Sequence, residues 1–103
     1  MYKFPIIVFE GIETSGKTTS IKQLSNYLTK NKIKFIKIRE PGGTKHSEVI
    51  RRFILNKKSK LNIKTDMLLM LASRSENYEK IIKKYQRKKV ILIDRFTDST
   101  IAY

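Results

Sequence analysis

An α/β fold built on a parallel sheet is predicted by three observations. Three short apolar runs rich in β-branched residues, Phe4 to Phe9, Lys34 to Ile38 and Val90 to Ile93, are separated by stretches with apolar residues at helical spacing. Runs such as Ile6-Ile7-Val8-Phe9 and Val90-Ile91-Leu92-Ile93 are continuous rather than alternating, which suits parallel strands buried on both faces. All four glycines fall in two short loops, one after each of the first two runs. The chain therefore reads β-α-β-α-α-β, with helices on both faces of the sheet in three layers.

The elements follow in order. After the first strand comes Gly11-Ile12-Glu13-Thr14-Ser15-Gly16-Lys17-Thr18, which is the phosphate-binding pattern G-x-x-x-x-G-K-[ST]. It needs a strand before it and a helix after it, and both are predicted here. The helix is Thr18 to Lys30, with Ile21, Leu24 and Leu28 as its apolar stripe and Ile33 just beyond. Val49, Ile50, Phe53 and Ile54 suggest a short helix after the second strand. A long helix is predicted over Thr65 to Tyr85, capped by Thr65, with Met67, Leu68, Leu71, Ile81, Ile82 and Tyr85 facing inward.

A chain of 103 residues supports one domain with a modest core, spanning 1–103. Lys and Arg number 23 against 9 Asp and Glu, a net charge of +14. The lysines are spread over nearly every segment and no aromatic residues alternate with them, so they read as a solvated surface that also attracts polyanionic nucleotides. No nucleic-acid partner is expected. There is no cysteine, which excludes a disulfide framework or thiolate metal site. The longest apolar runs are far short of a membrane span. The N-terminus leads straight into a strand, which leaves no room for a targeting sequence, so a cytoplasmic location and no membrane partner are expected.

In parallel sheets, ligands sit beyond the carboxyl ends of the strands, and three polar clusters lie there: Glu10 to Thr18, Arg39 to Thr44 and Asp94 to Ser99. In the first, backbone N–H groups and the helix N-terminus face phosphate oxygens, Lys17 reaches the β- and γ-phosphates, and the Thr18 hydroxyl suits magnesium. By itself this motif does not choose between kinase, GTPase and ATPase. In the third, Asp94 suits magnesium opposite Thr18, and Arg95 suits a phosphate fork; a strand-end salt bridge is the plainer alternative. The second, Arg39-Glu40-Pro41-Gly42-Gly43-Thr44, reads equally well as a tight turn with a surface ion pair.

Taken together, Phe9-Glu10-Gly11-Ile12-Glu13, Arg39-Glu40-Pro41-Gly42-Gly43-Thr44, Ala72-Ser73-Arg74 and Asp94-Arg95-Phe96, with Asp98-Ser99 and Ala102-Tyr103, resemble the thymidylate kinase family in order and spacing. The resemblance implies a nucleoside monophosphate kinase-like phosphate-loop NTPase fold, incomplete at its C-terminal side, in which 1–103 is the N-terminal portion of the kinase domain. It implies transfer of the γ-phosphoryl of ATP to dTMP with magnesium, within dTTP synthesis. Gly11 to Thr18, with Ile12, Glu13, Thr14, Ser15, Gly16 and Lys17, match the ATP loop. Lys17, Asp94 and Arg95 match the catalytic positions, and Thr18 and Asp94 the metal site. Glu13 matches the acceptor of the dTMP 3′-hydroxyl, while Arg39, Arg51 and Arg95 match positions around its phosphate. Arg74 matches the arginine at the thymine edge, Asn77 a polar position often held by an amide or imidazole, and Ser99 and Tyr103 the wall against base and sugar. The family is commonly dimeric through its helices, which implies a homodimer.

Two departures qualify the resemblance. Met70 stands where the family usually stacks a phenylalanine on thymine, which implies weaker base affinity. Thr14 stands where one branch carries an arginine, so the chain is similar to the branch whose catalytic arginines come from a mobile lid, expected beyond Tyr103. Further strands of the sheet are likewise expected beyond Tyr103, beside the first strand. Two other readings accompany the kinase reading: a catalytically inactive nucleotide-binding module, and a kinase for another nucleotide.

Overall fold

A computed structural model describes residues 3–11, 16–56 and 60–96. Strand β1 (Ile6–Gly11) leads to helix α1 (Lys17–Lys30) and strand β2 (Phe35–Glu40). Helices α2 (Lys45–Leu55) and α3 (Ile63–Asn77) follow. A π-helical turn (Tyr78–Ile82) and the short α4 (Lys83–Tyr85) then lead to strand β3 (Val90–Phe96). The three strands form a parallel sheet in the order β1-β3-β2. This is the predicted α/β architecture.

Register decides which side chains meet. Phe9, Asp94 and Arg39 lie side by side in one row, and Glu10, Arg95 and Glu40 form the next. Because side chains alternate along a strand, these rows face opposite sides of the sheet. On the first side α1 packs Leu28 against Val90 and Leu92, with Ile7, Phe9, Leu24, Ile33 and Phe35 around them. On the second side Ile91 and Ile93 are buried and α3 approaches the end of β2.

Each strand runs past the apolar stretch that predicts it: β1 ends at Gly11 rather than Phe9, β2 at Glu40 rather than Ile38, and β3 at Phe96 rather than Ile93. In these extensions Glu10, Arg95 and Glu40 bond across the ladder as ions, which a hydrophobicity pattern does not register. Burial on both faces holds for the central β3 but not for β1, an edge strand among the described residues, where Val8 is 39% exposed.

The long helix also departs from expectation. Its N-cap is Asn62, not Thr65: the Asn62 side chain accepts from the Thr65 N–H at 2.8 Å. Leu68 and Leu71 point outward, 66% and 56% exposed, whereas the fully buried positions are Ser73 and Asn77. α3 packs its small polar side chains inward because what lies beneath them is a turn with backbone groups to satisfy.

Candidate active site

The three strands end together, so Glu10, Arg39, Glu40, Asp94 and Arg95 stand at one mouth. On the α1 side, Gly16 adopts a left-handed conformation (φ 81°) as the N-cap of α1 and swings the chain into the helix. Lys17, the first residue of α1, is buried. Its Nζ donates to the Gly11 carbonyl at 2.9 Å and the Arg95 carbonyl at 3.3 Å, and pairs with Asp94 Oδ1 at 2.7 Å. Asp94 and Thr18 line one cavity of about 260 Å³ together with Ile21, Lys22, Ser25 and Lys37. Of the phosphate loop, Ile12, Glu13, Thr14 and Ser15 lie outside the described residues, as do Ser99 and Tyr103.

The donor set beside Thr18 fits a small hard cation. A hydroxyl and a carboxylate open on the same cavity, and among the described residues no larger acidic or histidine cluster competes for a metal. Magnesium commonly takes one or two protein oxygens and completes its octahedron with water and phosphate.

On the opposite side, Glu40 is 3% exposed and serves as the hub. Its Oε1 accepts from Arg95 Nε at 3.0 Å and faces Arg74 Nε at 3.3 Å, while Asn77 Nδ2 lies 3.5 Å from Oε2. Glu10, across the row, accepts from Arg95 Nη1 at 2.7 Å. Burial disfavours charge on Arg95, but its bonds to Glu10 and Glu40 outweigh that and hold its pKa above the ordinary arginine value. The two arginines read as phosphate and base ligands are therefore brought together by a carboxylate.

Arg39 and Arg51 are used differently. Arg39 bonds Glu48 on α2 through Nε and Nη2, and Arg51 Nη1 donates to the Pro41 carbonyl at 2.8 Å. Both hold the turn between β2 and α2. Glu48 also accepts from the Gly43 N–H at 2.8 Å. The Arg39 bond, foremost, lowers the Glu48 pKa below the usual carboxylate range despite some burial. By register Arg39 belongs to the Asp94 row, so it is not gathered with Arg95.

Beneath the turn lies a polar layer. Gly42 N–H donates to Ser73 Oγ at 3.1 Å, Asn77 Nδ2 donates to the Gly42 carbonyl at 2.6 Å, and Ser47 Oγ donates to the Ser73 carbonyl at 3.1 Å. Ser47 and Glu48 are site residues that no motif contained, and Glu10, Glu40 and Ser73 stand inside quoted motifs that gave them no part in the site; the partners that define their parts lie mostly on other elements.

Comparison with known proteins agrees with this geometry. The family model for thymidylate kinase matches residues 9–103. Curated thymidylate kinases from Kosmotoga olearia and Clostridium novyi are both 45% identical to this chain, covering 94% and 100% of it. The chain spans about half the length of the curated relatives it matches, 47% and 51% of these two. A crystal structure of thymidylate kinase from Ehrlichia chaffeensis superposes with a TM-score of 0.79 at 41% identity, over 99% of this chain and 56% of that one. A buried lysine donating to the end of β1, two arginines gathered on a buried glutamate and this breadth of likeness have one common reading: the chain belongs to the thymidylate kinase family.

Proposed function

We propose that this chain acts in phosphoryl transfer from ATP to dTMP, giving ADP and dTDP, with residues 1–103 forming a phosphate-loop kinase domain portion. The observation that carries the reading is the division of one mouth into two stations built on basic side chains held by carboxylates, Lys17 with Asp94 on one face and Arg95 and Arg74 with Glu40 on the other. One suits the triphosphate of ATP, the other a monophosphate acceptor held with its base. Transfer between two phosphates depends mainly on alignment and on charge placed around the moving group.

In this reading Gly11 to Thr18 hold ATP, and Lys17 leaves the Gly11 carbonyl for the β- and γ-phosphates. Thr18 and Asp94 would hold magnesium, which supplies charge neutralisation to the triphosphate when bound. Arg95 grips the dTMP phosphate, joined by Arg39 and Arg51 if the turn opens around them. Arg74 reads the thymine edge near Met67, Met70 and Leu71, which line a small apolar cleft with it. The roles of Glu13 at the 3′-hydroxyl and of Ser99 and Tyr103 at base and sugar rest on the family resemblance. A cytoplasmic enzyme working as a homodimer through its helices completes the proposal.

The test is coupled ADP release from ATP with dTMP, set beside dUMP, dCMP and dGMP, on this chain and on Lys17→Ala. dTMP-dependent turnover that falls by at least about a hundredfold in Lys17→Ala is expected, since a buried charge-assisted contact to phosphate is lost. ATP binding without any dTMP-dependent turnover would favour the nucleotide-binding module instead. Equal turnover of another nucleotide would overturn the dTMP assignment.

A further inference from the structure

The two carboxylates that flank Arg95 are not equivalent. Glu40 is buried, bonds the Nε of Arg95 and also faces the Nε of Arg74. Through Nε it fixes the plane of the Arg95 guanidinium while leaving the terminal nitrogens pointing onward, and as an ion pair it holds Arg74 beside it. Its own position is set from behind, by Asn77 and by the turn that Ser73 and Asn77 hold. Glu10 differs on every count. Its side chain is 60% exposed, and it takes the terminal Nη1 that a bidentate phosphate would need. No described residue takes Nη2 of Arg95.

We infer that Glu40 is a positioning residue that aims Arg95 and Arg74, and that Glu10 is an exchangeable partner which occupies Arg95 until a phosphate displaces it. The inference rests on the proposed monophosphate station. A buried anion shared by two guanidiniums keeps them close together although they repel each other, and it does so whether or not ligand is present. An exposed anion on the terminal nitrogen competes with ligand for the same donors. The two roles therefore predict opposite signs, which a purely structural part for either residue does not.

Binding of dTMP, thymidine and inorganic phosphate to this chain is measured by calorimetry for the wild type, Glu10→Gln and Glu40→Gln. Arginine Nε–Hε resonances are recorded by NMR for each. Glu10→Gln is expected to tighten dTMP by about threefold, because a competing but solvent-screened contact is removed. Glu40→Gln is expected to weaken it by about tenfold or more, because the charge-assisted bond to Arg95 and the ion pair with Arg74 are lost. Thymidine, lacking the phosphate, should respond little to Glu10→Gln. In NMR the Nε–Hε signals of Arg95 and Arg74 should both move in Glu40→Gln, and only slightly in Glu10→Gln.

Shifts of dTMP affinity in the same direction for both variants would overturn the inference, as would unchanged Arg74 and Arg95 resonances in Glu40→Gln. If Glu40→Gln does not fold, Glu10→Gln decides alone: unaltered or weaker phosphate binding sinks the exchangeable role. Inorganic phosphate that binds with the opposite signs while dTMP does not bind would uphold the inference and overturn the substrate reading. No response of any anion to either substitution overturns the inference itself.

Discussion

Gly42 is where a single missing Cβ carries most of the local architecture. Its φ is 128°, and a Cβ there would stand 2.0 Å from Glu48 Oε2, inside the bond network of Arg39 and the Gly43 N–H. Gly16 also has positive φ, 81°, but a Cβ on it would meet nothing within 4 Å. The pair separates backbone strain from steric contact. Gly16→Ala should cost about 1 kcal/mol from the left-handed conformation alone. Gly42→Ala should cost about 2–4 kcal/mol, because backbone strain is joined by displacement of Glu48. Urea unfolding of both variants checks the order, and equal losses would refute it. That Gly42 and Gly43 form a turn is legible in the sequence. That the turn needs glycine because a carboxylate nine residues from Arg39 closes over it is not, since that contact exists only once α2 has docked.

At the scale of elements, α2 and α3 show what hydrophobic periodicity misses. The apolar pattern predicts Leu68 and Leu71 inside, yet Ser73 and Asn77 hold those places, because the β2 to α2 turn presents N–H and C=O groups that water does not reach. The link from α2 back to the turn is the Glu48 carboxylate, and it makes the docking pH-dependent. Glu48 has a lower pKa in the folded chain than in the unfolded one, where a glutamate sits near 4.3. Its stabilisation is therefore complete above about pH 4.3 and is lost as the pH falls through the lower folded value. Glu48→Gln should remove that part of the acid dependence, giving a flatter plot of stability against pH below about pH 4.5 than the wild type. Parallel slopes for the two proteins would contradict the assignment. Arg39 works in the reverse sense: its raised pKa stabilises at all lower pH and is lost only under strongly alkaline conditions.

At the scale of the whole molecule, the fold sorts charge that the sequence spreads out. The strands begin together at one pole, where Phe4 N–H donates to the Gln86 carbonyl at 2.7 Å and Val90 N–H to the Lys34 carbonyl at 3.0 Å. Those segments bring Lys3, Lys30, Lys32, Lys34, Lys84, Arg87, Lys88 and Lys89 to that end, and residues 3–5, 30–34 and 84–89 contain no carboxylate. Glu10, Glu40 and Asp94 all stand at the other end. Lys84 and Lys89 sit over the Tyr85 ring, at 5.2 and 5.3 Å, which accommodates two of the charges without neutralising them. Like charges gathered in this way repel, and salt relieves them within a Debye length of about 10 Å at 0.1 M. Raising NaCl from about 20 to 200 mM should therefore raise the thermal midpoint by a few degrees while weakening ATP binding at the opposite pole. A midpoint that falls with salt would show that ion pairs, not repulsion, dominate.

Local spacing is enough to read the β-α-β-α-α-β order, the phosphate-loop motif ahead of α1 and the family from the chain, because a strand, a Gly-framed turn and a lysine are neighbours in it. Folding alone sets Arg95 between Glu10 and Glu40, gives Arg39 and Arg51 to the turn, and gathers the lysines at one pole. Those contacts join residues up to 85 positions apart through parallel register and helix docking, and no pattern along the chain encodes which partner a charge will meet.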